Sequence, residues 1–401
     1  MTKNDQRPLF VSIGAGKNQV PLINEARKLG FHLVGVDRNP LAPGLGLCDI
    51  KIHESILKPN EISPKINELL ILGDVKGVLC RSYGKSIKTV ATLAKMLNQP
   101  YLPPEMVDAF NNKAEMKRIF IENGIMTPDY RVTTVDKALK VASGMRFPLV
   151  VKPLSGHGKR DVKLVYTRTE LRSMLAPVEN KKARFLMEEY VEGDELIVIG
   201  IVHDGKFYTV DISDKVRSPR PYFTDRMHLL PSMYLETWSE YNQLGQIIAD
   251  TFHIISSPLV IELIINKNGT PFVIEAVPEF GGEYLADIAI PARTGYNIFE
   301  QVIRSVTGME FSRPPLPVSN PVVTVKYLYG GGGRLQSYED VAPTPRKGLL
   351  HAEIFKKEGD LLSEPKNNHD RLGVIITKGK TLNQTLERAN GTLKKMNIEI
   401  E

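Results

Sequence analysis

The stretch Pro148-Leu149-Val150-Val151-Lys152-Pro153-Leu154-Ser155-Gly156-His157-Gly158-Lys159-Arg160 decides how the rest of the chain is read. An apolar run closed by Lys152 and Pro153 predicts a short strand, stopped where proline cannot donate to a ladder. Ser155-Gly156-His157-Gly158 predicts a glycine-rich turn before the next strand at 162–165. A strand-end lysine beside such a turn suits a polyphosphate, because the ammonium neutralises charge while unobstructed backbone N–H groups wrap the oxygens. Taken alone, Lys152 reads as a solvated surface charge; what lies on either side gives it its meaning.

Upstream, Asn111-Asn112-Lys113 brings a second lysine. It lies inside 105–122, where Met106, Phe110, Met116, Ile119 and Phe120 predict one amphipathic helix, stopped by Asn123-Gly124. Before that, apolar runs at 9–13, 31–36 and 77–80 alternate with helical spacing near 19–29, 61–71 and 87–97, which predicts a parallel sheet covered on both faces. Pro100, Pro103 and Pro104 close this region. Gly14-Ala15-Gly16-Lys17-Asn18-Gln19, with Asp37 after the second strand, invites a dinucleotide reading. Gln19 stands where the third glycine belongs, which favours a tight turn that binds no dinucleotide. The helix N-terminus there can still hold an anion.

Downstream, the strand at 184–188 runs into Glu188-Glu189-Tyr190-Val191-Glu192-Gly193-Asp194-Glu195, an acidic hinge. Its backbone can meet a planar base and its carboxylates can meet ribose hydroxyls; read bare, it is a charged loop. Strands at 196–202, 206–212, 258–265 and 271–276 follow, with Asp204-Gly205 and Asn268-Gly269 as hairpin signals. Glu262 and Glu275 flank the second hairpin. If those strands pair, the two carboxylates share a surface, and a carboxylate pair fronting a phosphate site is what Mg²⁺ requires. A last region begins at Pro314-Pro315-Leu316-Pro317 and holds Gly330 to Gly333, the basic residues Arg346, Lys347, Lys356 and Lys357, and helical spacing over 382–396.

Composition narrows the function classes. The 401 residues carry 52 Lys+Arg against 46 Asp+Glu, a net charge of +6 that suits an anionic small ligand as well as nucleic acid. A single tryptophan, no RNA-binding signature and no sustained basic helix make nucleic acid the weakest option. Cys48 and Cys80 make neither a disulfide framework nor a metal cluster. No apolar run reaches membrane-spanning length, and the polar N-terminus reads as no signal peptide, so a cytoplasmic protein is expected.

Taken in order, Lys113, then Lys152 with its glycine loop, then the acidic hinge, then Glu262 and Glu275 resemble the ATP-grasp superfamily. Asn111-Asn112-Lys113 through Gly124-Ile125-Met126-Thr127-Pro128 resembles its entry segment, and the first hundred residues resemble its pre-ATP-grasp domain. The likeness is closest to the branch of carboxylate–amine ligases and carbamoyl-phosphate-synthase-like proteins, to which Asp214-Lys215, residues 223–231 and residues 370–375 add. The fold class this implies is mixed α/β and α+β. A Rossmann-like domain would span 1–104, a small ATP-grasp lobe 105–190, a large lobe with the metal carboxylates 191–313, and a C-terminal α/β segment completing the large lobe 314–401.

The resemblance also implies roles. Lys113 and Lys152 would contact ATP phosphates, with Gly156 and Gly158 closing over them. Glu188, Glu189 and Val191 would line the adenine, Glu195 would hold the ribose, and Glu262 and Glu275 would bind Mg²⁺. The implied reaction joins a carboxylate to an amine through an acylphosphate, with small-molecule substrates, ADP and phosphate as products, and a homodimer as the assembly to test. Rival readings are bicarbonate activation of the carbamoyl-phosphate type and nucleotide binding without turnover. One departure stands out: the family's Glu-x-Asn-Pro-Arg reads Glu275-Ala276-Val277-Pro278-Glu279 here. Val277 cannot ligate metal, and Glu279 reverses the charge of an arginine. Lys215, Arg217 or Arg293 would then supply the missing cation, or Glu279 would hold an amino group of the acceptor. Arg217, Arg220 and Arg226 lie on a stretch that faces either the cleft or solvent.

Overall fold

A computed structural model describes residues 7–156, 158–220, 222–282, 284–341 and 347–401. His157 of the glycine loop, Glu283, and Arg346 of the basic stretch lie outside the described residues. The apolar runs at the front of the chain form β1 (Leu9–Ile13), β2 (His32–Val36), β3 (Ile50–Ile52) and β4 (Val75–Leu79). They make a parallel sheet in the order β3-β2-β1-β4, with α1 (Val20–Lys28) and α2 (Pro59–Leu69) between strands and α3 (Lys85–Met96) after β4. β1 and β2 are buried on both faces, as continuous apolar strands in a parallel sheet must be.

The span 105–122 is two helices, α4 (Pro104–Phe110) and α5 (Lys113–Glu122). Asn112 leaves helical geometry and its side chain accepts the N–H groups of Ala114 and Glu115, so the chain restarts as a capped helix with Lys113 first. Phe110 and Phe120 pack on Phe252, with ring centroids 4.2 and 6.0 Å away. These helices therefore belong to the main core, not to the small lobe expected over 105–190. The separate core under the small sheet draws on Val135 to Met187. That antiparallel sheet, in the order β5-β8-β6-β7, holds β5 (Tyr130–Thr134), β6 (Leu149–Pro153), β7 (Lys163–Val165) and β8 (Arg184–Glu189), backed by α6 (Ala138–Ala142) and α7 (Arg168–Leu175).

The second half builds one eight-stranded antiparallel sheet. Its strands are β9 (Gly193–His203), β10 (Lys206–Arg217), β11 (Asp225–Leu230), β12 (Ser257–Asn266), β13 (Pro271–Val277) and β14 (Val322–Tyr329). After a small pairing of β15 (Leu335–Ser337) with the late β18 (Glu399–Ile400), β16 (Leu349–Ile354) and β17 (Arg371–Gly379) complete it. The order is β13-β12-β9-β10-β11-β14-β17-β16, so the C-terminal strands extend the sheet that carries Glu262 and Glu275. Asp204 and Gly205, both at positive φ, close the β9–β10 hairpin. α8 (Trp238–Thr251), α9 (Ile290–Thr294), α10 (Ile298–Thr307) and α11 (Leu382–Lys395) cover the sheet, and α10 joins it to β4 and α1 of the first domain. No helix among the described residues is long and apolar enough to cross a membrane.

Candidate active site

Where the three sheets converge, a cleft of about 1100 Å³ opens. Lys113, Lys152, Gly156, Gly158, Glu188, Glu189, Val191, Glu195, Glu262, Glu275 and Glu279 all line it. The capped start of α5 explains Lys113: its N–H donates to the carbonyl of Leu154, just past β6, at 2.9 Å, and its Nζ lies 2.7 Å from Glu275 Oε1 and 3.2 Å from the Gly156 carbonyl. Lys152 sits at the end of β6, beside β8 in antiparallel register, and its Nζ is 2.7 Å from Glu188 Oε2. The other oxygen of Glu188 lies 2.8 Å from Lys117 Nζ. All three side chains of this triad are nearly sealed from solvent. Burial works against ionisation of Glu188, yet Lys117 and Lys152 outweigh it and bring the carboxyl down to about 2. Two ammonium groups share one carboxylate, so burial still takes Lys117 down to about 8 despite Glu188.

Glu262 and Glu275 face each other across the β12–β13 register, with side chains a quarter exposed to the cleft. Glu262 Oε2 has Lys215 Nζ at 3.2 Å and Lys159 Nζ at 3.4 Å. Glu195 is clasped by Lys159 at 2.9 Å, Arg217 at 2.9 Å and Lys215 at 3.4 Å. Burial opposes charge on Glu195, but these three cations hold its carboxyl far below the ordinary range. Behind them Asp225 lies 3.8 Å from Lys215 and 3.7 Å from Arg371, and exchanges hydrogen bonds with the Asn368 side chain at 2.6 and 2.9 Å. Lys113, Lys117, Lys152, Lys159, Lys215, Arg217 and Arg371 outnumber Glu188, Glu195, Asp225, Glu262 and Glu275 in this network. The excess suits a polyanion.

Among the described residues no group of three or more His, Cys, Asp or Glu gathers as a metal cluster. The facing carboxylates of Glu262 and Glu275 are ligands of the kind a hard divalent cation takes. Val277, two residues beyond Glu275 on β13, lines the cleft with methyl groups.

Arg293 requires a correction. It does not line the cleft; its Nε and Nη2 donate to Asp211 at 2.6 and 2.8 Å, its Nη1 to the Val318 carbonyl at 2.5 Å, and both charged side chains are wholly buried. A guanidinium bound on three sides inside the core cannot reach a reacting acyl group. Lys215 and Arg217 do line the cleft, whereas Arg220 stacks on Tyr190 and Phe223 and Arg226 on Tyr329. Glu279 faces the cleft near Tyr83, whose hydroxyl is pushed up by burial and by that carboxylate. In the first domain, Asp37 accepts the Ala15 N–H at 3.0 Å and Gln19 bonds both backbone groups of Arg81, so the glycine turn is held by its own side chains. Lys117 and Lys159 escape a sequence reading: a lysine inside a helix or a loop looks solvated. The available signals are spacing, Lys117 one turn after Lys113, and Lys159 beside Gly158.

Residues 145–287 match the model of the ATP-grasp domain, and residues 326–401 match L-amino acid ligase C-terminal domain 2. D-alanine–D-alanine ligase A of Bacillus cereus is 30% identical over 166 residues, 37% of this chain and 55% of the relative. The chain spans about half the length of the first curated relatives it matches. A formate-dependent phosphoribosylglycinamide formyltransferase of Saccharolobus solfataricus is 23% identical over 401 residues, 94% of this chain and 93% of the relative. Among solved structures, the L-amino acid ligase of Bacillus licheniformis superposes with a TM-score of 0.80 at 19% identity, over 99% of both chains.

Proposed function

We propose, from the matches of residues 145–287 to the ATP-grasp domain and of residues 326–401 to L-amino acid ligase C-terminal domain 2, that the chain is an ADP-forming carboxylate–amine ligase using ATP and Mg²⁺. One observation carries this reading: the convergence on a single cleft of Lys113, Lys152, the glycine loop and the facing pair Glu262 and Glu275. Lys113 and Lys152 bind phosphate oxygens, and bare amides at Gly156 and Gly158 close over them. The hinge from Glu188 to Val191 lines the base. Glu262 and Glu275 would hold the divalent cation, which when bound supplies charge stabilisation to the migrating phosphoryl group.

A carboxylate is a poor electrophile, so it is activated first. Its oxygen bonds to the γ-phosphorus, the bond to the bridging oxygen breaks, and ADP departs. The amine nitrogen then attacks the acyl carbon, phosphate leaves with the bonding pair, and the nitrogen loses a proton to a nearby base. The lysines of the cleft offset negative charge throughout. The substrates are an amino acid or other small acid and a small amine. Glu279, standing where the resembled pattern has arginine, favours an acceptor that presents an ammonium group to that end of the cleft.

Incubation with ATP, Mg²⁺, hydroxylamine and a panel of carboxylic acids tests this. The reading expects an acyl hydroxamate formed in step with ADP for at least one amino acid. ATP hydrolysis driven by bicarbonate alone would replace it with carboxyphosphate chemistry. ATP binding with no turnover across the panel would replace it with a nucleotide-binding role.

A further inference from the structure

Lys159 follows the glycine loop and lines the cleft, its side chain one-fifth exposed and its ammonium directed at two carboxylates. Its backbone adopts φ +61°, and Gly158 before it is seated against the segment at 367–370. The Gly158 carbonyl accepts the Asn368 N–H at 3.1 Å, and a Cβ at position 158 would come within 2.8 Å of His369 Nε2. The positive φ of +67° is what favours glycine there, since the His369 ring is a side-chain end that can shift. Thus docked, the loop delivers Lys159 Nζ to 2.9 Å from Glu195 Oε1 and 3.4 Å from Glu262 Oε2. Lys215 bridges the same two carboxylates, at 3.4 and 3.2 Å.

A carboxylate oxygen with two ammonium neighbours has little capacity left to bridge divalent cations. Two such cations on one nucleotide can share phosphate oxygens but still need additional oxygen ligands from the protein. Glu275 already has Lys113 at 2.7 Å, and Val277, the next residue of β13 on that face, offers only methyl groups. An ammonium carries three N–H donors. Two of those on Lys159 meet Glu195 and Glu262, and a phosphoryl oxygen is a natural third acceptor.

Resting on the ATP-and-Mg²⁺ reading above, we propose that Lys159 is a catalytic residue that stands in for a second divalent cation, so that the site takes one metal ion per nucleotide. Lys159 ties the terminal phosphate to Glu262 while Glu262 and Glu275 hold the single ion. The glycine loop is then more than a cover: it carries part of the charge that the chemistry requires.

Electron paramagnetic resonance counts bound Mn²⁺ without turnover. The titration uses the full chain saturated with an ATP analogue bearing nitrogen between its β- and γ-phosphorus atoms. One tightly held Mn²⁺ per chain is expected for the unaltered protein. Lys159→Met should weaken the analogue about tenfold or more, Lys159→Arg should recover part of that loss, and Lys159→Met with Val277→Asn should bind a second Mn²⁺. Two Mn²⁺ in the unaltered protein, or an analogue affinity unmoved by Lys159→Met, would overturn the inference. Analogue binding with no Mn²⁺ at all would instead overturn the metal assignment of Glu262 and Glu275, and no analogue binding would overturn the ATP reading itself. The Mn²⁺ count in the unaltered protein decides the matter even where a variant fails to fold.

Discussion

Glu188 shows how a single side chain can be structural and functional together. It neutralises two buried lysines, one of which, Lys152, lines the cleft. Because its carboxyl is depressed to about 2, the stabilisation it gives is fully present above the ordinary carboxylate pKa near 4.5 and is lost as pH falls from there toward 2. The lost contribution is on the order of 3 kcal/mol. Urea unfolding as a function of pH should show this acid slope, and Glu188→Gln should flatten it while lowering stability at neutral pH by about 3–5 kcal/mol, the cost of leaving buried charge uncompensated. Equal acid slopes for both proteins would remove Glu188 from this role. The strand-end and hairpin positions of Lys152, Glu262 and Glu275 made them legible as a site in the sequence. Lys117 was not legible, because its partner Glu188 lies far along the chain and only the packing of α5 against the small sheet brings them together. Arg293 misled for the opposite reason: its charge is visible in sequence, its burial against Asp211 is not.

At the scale of elements, the start of α5 sets the position of Lys113. Asn112→Ala removes the cap and should cost about 1 kcal/mol of stability. Because Lys113 is the first helical residue, the same change should raise KM for ATP, measured alongside thermal unfolding. An unchanged KM would mean that the hydrogen bond from the Lys113 N–H to Leu154 suffices to hold the helix start. The apolar spacing over 105–122 concealed the break at Asn112 since α4 and α5 keep the same face inward, toward Phe252. On the large sheet, α8 lies close to β10 because Gly245 and Gly200 leave room for the Phe207 ring. A Cβ at either glycine would come within 2.1 and 2.3 Å of that ring. Gly245→Ala should therefore destabilise the fold by about 1–3 kcal/mol in denaturant titration, leaving nucleotide affinity in the folded protein as it was. Strands and their hairpins were readable from alternation and turn residues. The joining of 322–379 to the same sheet was not, since nothing local encodes which distant edge a strand will pair with.

Across the whole molecule, the small sheet has its own core, separate from the one shared by the first domain, α4, α5 and the large sheet. Its loop reaches over the cleft to Glu195, Glu262 and the segment at 367–370. A lobe with an independent core, joined at the hinge after Glu189, can move as a unit. Nucleotide should then slow amide exchange in 155–165 and 367–371 together, and protection of only one of these segments would argue that they do not close as a pair. The order of charged motifs along the chain pointed to this cleft. The ion-pair network that links them exists only once the small sheet, α5 and the large sheet meet. The most direct measurement is a calorimetric titration of MgATP into the unaltered protein and into Lys152→Met. The account predicts saturable binding of one nucleotide per chain, weakened about a hundredfold or more by the substitution. Equal affinity in the two proteins, or no binding to either, would contradict it.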